Sequence, residues 1–282
     1  MARLSQETRG HPATVDEMIP PEDVFSVGGG NYKAIGQAFV GEFRRSCALE
    51  PHHHVLDIGC GTGRIAIALT QFLSAEGRYE GFDAACEAVE HGRQRITPSY
   101  PNFHFQVADL FSERYNPCGK IKASEFRFPY ADASFDLVFA ASVFTHLLPE
   151  DARHYLVEAA RVLKPDGHFL ATWFLLEEES SAALGAGKSS IPFPHRFAAH
   201  RVNDKRVPEA AVAYDQPWVL EQYDLNGLGL TRPIGHGTWS GRPDSRYYGY
   251  QDLVVASRRE APARRAPSAK RGAGGGKLPT SG

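Results

Sequence analysis

No stretch of the 282 residues approaches the ~18 consecutive apolar residues that a membrane-crossing helix requires. The opening MARLSQETRGHPATVDEM also lacks the apolar centre of a signal peptide, so a cytoplasmic protein with no membrane partner is expected. Cysteine is scarce. Cys47, Cys60, Cys86 and Cys118 form neither a CxxC pair nor a metal-ligand spacing, and a chain of this length does not depend on disulfide staples, so reduced thiols are expected. Net charge is nearly absent too, at −2, but this average hides a division. Seven basic residues and one acid fall between Arg258 and Gly282, and the remaining 24 basic and 32 acidic residues leave the body at −8. An acidic body repels phosphate backbones, which argues against a nucleic-acid partner.

The composition is otherwise globular, with 42% hydrophobic and 23% charged residues. Three segments are expected: an N-terminal extension over 1–24, one elaborated domain over 25–257, and a disordered tail over 258–282. The tail, rich in Ala, Pro, Gly, Ser and basic residues, has almost nothing to bury.

Between residues 52 and 175 short apolar runs alternate with helix-like stretches. HVLDIG (54–59), RYEGFD (78–83), FHFQVAD (103–109), FDLVFA (135–140) and HFLATWFLL (168–176) read as strands. RIAIALTQFL (64–73) and PEDARHYLVEAARVL (149–163) carry apolar residues at helical spacing, the second opening on Pro and acids and stopped by Pro165 and Gly167. This alternation predicts a parallel sheet covered on both faces. Residues 177–213 show no period and read as a lid-like excursion. A helix-like DQPWVLEQYDLNG (215–227) follows, and GLTRPIGHGTWSG and YQDLVVAS read as a closing hairpin.

The most informative stretch is VLDIGCGTGR (55–64), where a strand runs into glycines and then a helix. Bare backbone N–H groups and a helix N-terminus let a polar ligand group approach where no Cβ intervenes. A dinucleotide fingerprint would need its third glycine at position 64, which is Arg64, and the terminal Lys-Ser/Thr pair of a P-loop is absent.

Asp57-Ile-Gly59-Cys-Gly61-Thr-Gly63 instead resembles motif I of the class I S-adenosylmethionine-dependent methyltransferases. GFD ending at Asp83, VADLF around Asp109, FPYADASFDLVFAASVFTHL and RVLKPDGHF resemble that family's later motifs in order, over roughly residues 25–176. The resemblance implies an α/β, Rossmann-like, doubly wound seven-stranded sheet, mostly parallel with a final antiparallel hairpin strand. It also implies S-adenosylmethionine as cofactor, with S-adenosylhomocysteine as product, and a small-molecule acceptor.

Residue by residue, the resemblance makes Asp83 the ribose anchor, as a carboxylate can accept both diol protons in charge-assisted bonds. Gly59, Cys60, Gly61 and Gly63 would lie against the methionyl part, with Asp57 either bracing the loop or touching the ligand. Ala84 follows the ribose anchor. Asp109 and the Leu110 amide would take the adenine edge, Ala141 and Ser142 would pass beside the methionyl end, and Asn31 or Tyr32 would close it. His146, in SVFTHL, is the candidate general base, because histidine titrates near neutrality; a structural role at a helix start is the other reading. His195 and Arg196 in the excursion, with Tyr214 just beyond it, are the substrate candidates, and YNPCGKI (115–121) is a candidate second wall.

No metal is expected. HHH at 52–54 shows no acid partner at ligand spacing and reads as surface histidines at a turn. Methyl transfer to oxygen is favoured over nitrogen. The competing readings are methylation of RNA or protein with the basic tail as recruiter, and a non-catalytic cofactor-binding module that regulates a partner. Oligomeric state is not encoded in any motif.

Overall fold

The computed structural model describes residues 13–21, 30–113, 115–243 and 249–259; the basic tail beyond Arg259 and most of the 1–24 segment lie outside them. The first half of the chain runs α1 (Val15–Met18), α2 (Tyr32–Ser46), β1 (His54–Ile58), α3 (Arg64–Leu69), β2 (Arg78–Asp83), α4 (Cys86–Arg95), β3 (Phe103–Val107) and β4 (Phe135–Ala140). The second runs α5 (Pro149–Val162), β5 (Leu163–Trp173), β6 (Leu175–Leu176), α6 (Glu178–Gly185), β7 (His195–Arg196), β8 (His200–Val202), β9 (Val212–Asp215), α7 (Gln216–Leu225), β10 (Leu228–Leu230) and β11 (Asp252–Arg258).

Seven strands form the main sheet in the order β10-β11-β5-β4-β1-β2-β3. β3, β2, β1, β4 and β5 pair in parallel, and β11 runs antiparallel to both β5 and β10, the arrangement expected from sequence. Successive residues of a strand point to opposite faces, so a sheet covered on both sides must be apolar at nearly every position. Leu56 and Val138 accordingly belong to the core under α5 and α7, whereas their neighbours Val55 and Leu137 belong to the core under α2, α3 and α4. Strand order reverses between β1 and β4, and in such sheets ligands bind outside the strand C-termini at that switch point.

Four local expectations change. The helix expected over 64–73 stops at Leu69, where the Thr70 hydroxyl donates to the Ile67 carbonyl at 2.7 Å and competes with the helical ladder. The fifth strand begins earlier, at Leu163, and breaks at Phe174 as the chain leaves for another sheet. The strand expected over GLTRPIGHGTWSG shrinks to β10, because Pro233 has no N–H to donate and only Gly235 bridges to Leu253 beyond it.

The fourth change concerns the excursion, which is regular. Glu177 caps α6 by accepting from the Ser180 and Glu179 amides, and β6-β9-β8-β7 form a four-stranded sheet over a small core of Phe174, Phe193 and Trp239. Its strands span two to four residues, too short to show a period. The small sheet is fastened to the main one at Asp252, whose carboxylate accepts from the Leu175 and Gly237 amides and the Trp239 indole at 2.7, 2.8 and 2.7 Å. Arg242, fully buried, faces the same carboxylate at 3.3 Å and Glu177 at 3.2 Å.

Candidate active site

The glycine loop leaves β1 at the switch point and folds back over the end of β2. Gly59 and Cys60 donate their amides to the Phe82 carbonyl at 2.9 and 3.0 Å, and Gly61 donates to Oδ2 of Asp83 at 2.8 Å. The other Asp83 oxygen accepts from Ala85 N–H at 2.9 Å. These amides favour the carboxylate, but burial outweighs them and raises its pKa. Gly59 and Gly61 both have positive φ, for different uses. A Cβ at Gly59 would meet Val143 Cγ2 at 2.5 Å, whereas one at Gly61 would meet nothing within 4 Å. Gly61 therefore presents bare backbone to open space beside an acid, which is where a ligand can come close.

That space is a cavity of about 180 Å³ at the C-terminal ends of β1, β2 and β4. Of the residues singled out from sequence, its wall holds Gly59, Gly61, Asp83, Ala84, Leu110, Ala141, Ser142 and His146. Ser142 sits at φ +60 and is held by its amide donating to Thr172 Oγ1 at 2.7 Å and its hydroxyl donating to Gln251 at 3.0 Å. Nδ1 of His146 bonds the Glu209 carbonyl at 2.9 Å; a carbonyl only accepts, so Nδ1 carries the proton and, in the neutral ring, Nε2 carries the lone pair. Tyr115 meets the His146 ring edge-on at 6.1 Å, so the 115–121 loop does supply a wall.

The remaining candidates lie off the wall. Asp57 is buried, accepts the Tyr79 hydroxyl of β2 at 2.7 Å, and does not line the cavity. Burial raises its carboxyl to about 8; the Tyr79 bond opposes the rise and the Asp83 charge adds to it. Cys60 is buried under the loop, and Gly63 forms the N-cap of α3. Asp109 is exposed; its carbonyl accepts from the Lys120 and Ile121 amides. Asn31 caps α2 by accepting from Ala34 N–H at 3.0 Å, and Tyr32 bonds Thr62.

The structure does not bring the three substrate candidates to the cavity. Arg196 is engaged with Asp215 through two bonds of 2.6 and 2.7 Å. His195 precedes it on β7, away from the wall. Tyr214 is fully buried, stacked on Trp218 at 4.9 Å, with its hydroxyl donating to the Leu147 carbonyl. The excursion reaches the cavity instead through Glu209, on a short 3-10 helix over Pro208–Ala210, which sequence reading missed along with Phe111, Ser112 and Asp151. The view that no acid accompanies the triple histidine is also corrected. A turn closed by His53 N–H to the Glu50 carbonyl brings Glu50, His52 and His53 within ligand reach of one another, on the surface and away from the cavity.

The doubly wound sheet thus brings the glycine loop and a strand-end carboxylate to one cavity at its switch point. Solved structures share that fold. A protein from Pyrococcus horikoshii aligns at 16% identity with a TM-score of 0.57, covering 85% of this chain and all of its own. Magnesium protoporphyrin IX methyltransferase from Synechocystis, solved with bound S-adenosylhomocysteine, aligns at 17% with a TM-score of 0.51, covering 84% of this chain and 91% of its own.

Residues 55–167, two fifths of the chain, match the family model described as a methyltransferase domain. Among curated relatives, 27-O-demethylrifamycin SV methyltransferase of Amycolatopsis mediterranei is 28% identical, with 62% of each chain covered. Demethylmenaquinone methyltransferase of Lactiplantibacillus plantarum is 33% identical over 42% of this chain and 43% of its own. The chain spans between 34% and 62% of the length of the first curated relatives it matches.

The residues present fit the cofactor. Asp83 offers a carboxylate to a diol, Gly61 leaves open the space a side chain would fill, and Leu110 lines the same cavity. No helix among the described residues is long and apolar enough to cross a membrane.

Proposed function

We propose that the protein transfers a methyl group from S-adenosylmethionine to a small-molecule acceptor, at oxygen in preference to nitrogen. The observation that carries this is the placement of Asp83, tied to the glycine loop on one side and open to the cavity on the other. When bound, the cofactor supplies a methyl group already activated on a sulfonium sulfur. What remains for the protein is to hold donor and acceptor in line and to keep water out.

Gly59, Gly61 and Ala141 would shape the methionyl end, Asp83 would hold the ribose, and Ala84 and Leu110 would flank the base. His146 would take the acceptor's proton, a role supported by the Nδ1–H bond to the Glu209 carbonyl, which puts the lone pair of the neutral ring on Nε2. A hydroxyl acceptor needs such a base. Methylation at oxygen also matches the chemistry in the name of the Amycolatopsis relative.

Calorimetric titration with S-adenosylhomocysteine tests the reading. Saturable binding at one site per chain is expected, and absence of binding at millimolar ligand would overturn it.

A further inference from the structure

The cavity wall carries acids and, among the described residues, no lysine or arginine. Its three carboxylates are not equally occupied. Asp83 accepts the Gly61 and Ala85 amides, and Asp151 accepts from the Leu148 and Ser124 backbones and the Ser124 hydroxyl. Among the described residues the Glu209 carboxylate accepts one hydrogen bond, from the Ser112 hydroxyl at 3.3 Å. Burial raises its pKa, with the charges of Asp151 and Glu113 adding to the rise, and no lysine or arginine among the described residues forms an ion pair with it.

Its surroundings suit a cation. The Glu209 backbone is clamped to His146, and the Tyr115 ring lies against His146 on the same wall, so the carboxylate, an aromatic ring and the proposed base are neighbours. An alkylammonium can pair with a carboxylate, and the attraction strengthens where water is displaced. A carboxylate or phosphate on the acceptor would instead meet like charge.

Building on the methyl-transfer reading above, we propose that Glu209 selects acceptors bearing a basic nitrogen, binding the ammonium group while a separate hydroxyl faces His146. Glu209 is a specificity residue here, and the nitrogen it holds is not the atom methylated.

Three phenols of similar size and different side-chain charge provide the test: tyramine, 4-ethylphenol and 4-hydroxyphenylacetate, titrated calorimetrically into protein saturated with S-adenosylhomocysteine. Tyramine should bind roughly tenfold more tightly than 4-ethylphenol, a ratio within the range of a close charge pair, and 4-hydroxyphenylacetate should bind most weakly. Glu209→Gln, which preserves shape and can keep the Ser112 contact, should abolish the tyramine advantage and leave 4-ethylphenol affinity unchanged. Equal affinities, a reversed order, no tyramine binding, or an order that survives Glu209→Gln would each overturn the proposal. The wild-type order alone tests it should the variant fold poorly. Failure of S-adenosylhomocysteine to bind would instead count against the methyl-transfer reading itself.

Discussion

The backbone amide of Gly61 donates a 2.8 Å hydrogen bond to Oδ2 of Asp83, joining the glycine loop after β1 to the end of β2. The carboxylate thereby fixes the loop whose open face it shares. Asp83→Ala should weaken S-adenosylhomocysteine binding by ~1.5–3 kcal/mol, the range for a hydrogen bond to a charged group. Calorimetry measures it, and an unchanged affinity would remove Asp83 from the site.

The two loop glycines should fail differently when replaced by alanine. Both incur the left-handed backbone penalty of ~1–2 kcal/mol, but only Gly59 adds a clash, with Val143 Cγ2 at 2.5 Å. Gly59→Ala should lower the melting temperature more than Gly61→Ala. Gly61→Ala places its methyl in the open space of the cavity and should lose cofactor affinity at modest cost in stability. Equal melting temperatures together with equal affinities would contradict this division.

How much of this was legible beforehand follows from what each residue answers to. The central strands β1 and β4 showed as apolar runs because both faces of the sheet are buried there, and Asp83 stood out as the acid closing β2. The excursion was opaque because its elements are too short to impose a period. Its cavity residue, Glu209, is placed by a bond to His146, 63 residues away. Tyr214 drew attention as an aromatic beside a supposed lid, yet it turns inward from β9 into the core beside Trp173. The polar Arg196 had a local partner, Asp215, that strand pairing rather than sequence distance supplied.

Asp57 gives the protein a pH-dependent weakness. Burial lifts its carboxyl to about 8 from an ordinary 3.8, so the folded state holds a proton that the unfolded chain releases. Stability from this group is greatest below the unfolded value and falls as pH rises toward about 8. Asp57→Asn keeps an oxygen for the Tyr79 hydroxyl and abolishes the titration. Its melting temperature relative to wild type should climb between about pH 5 and about pH 9. A difference constant across that range would show that Asp57 does not titrate there.

His146 should matter to turnover and not to cofactor affinity. Loss of a general base costs about 10²–10⁴-fold in rate, so His146→Ala should lower kcat within that range while S-adenosylhomocysteine binds as before. Parallel losses in kcat and cofactor affinity would instead mark a structural histidine.

Fastening of the small sheet rests on the buried pair Arg242 and Asp252. Arg242→Met leaves the acid without its cation in an apolar setting and should destabilise the fold by about 3–5 kcal/mol, the usual penalty for breaking a buried pair. Chemical denaturation reads this directly, and a change below about 1 kcal/mol, the size of an exposed pair, would contradict it.

Methyl transfer itself is tested most directly by incubating the protein with methyl-labelled S-adenosylmethionine and a cell extract, and following the label by mass spectrometry. Wild-type protein should move the label into a small molecule, and Asp83→Ala should do so far more slowly. Label that stays in the cofactor across extracts, although S-adenosylhomocysteine binds, would contradict the account and leave a protein that binds the cofactor without using it.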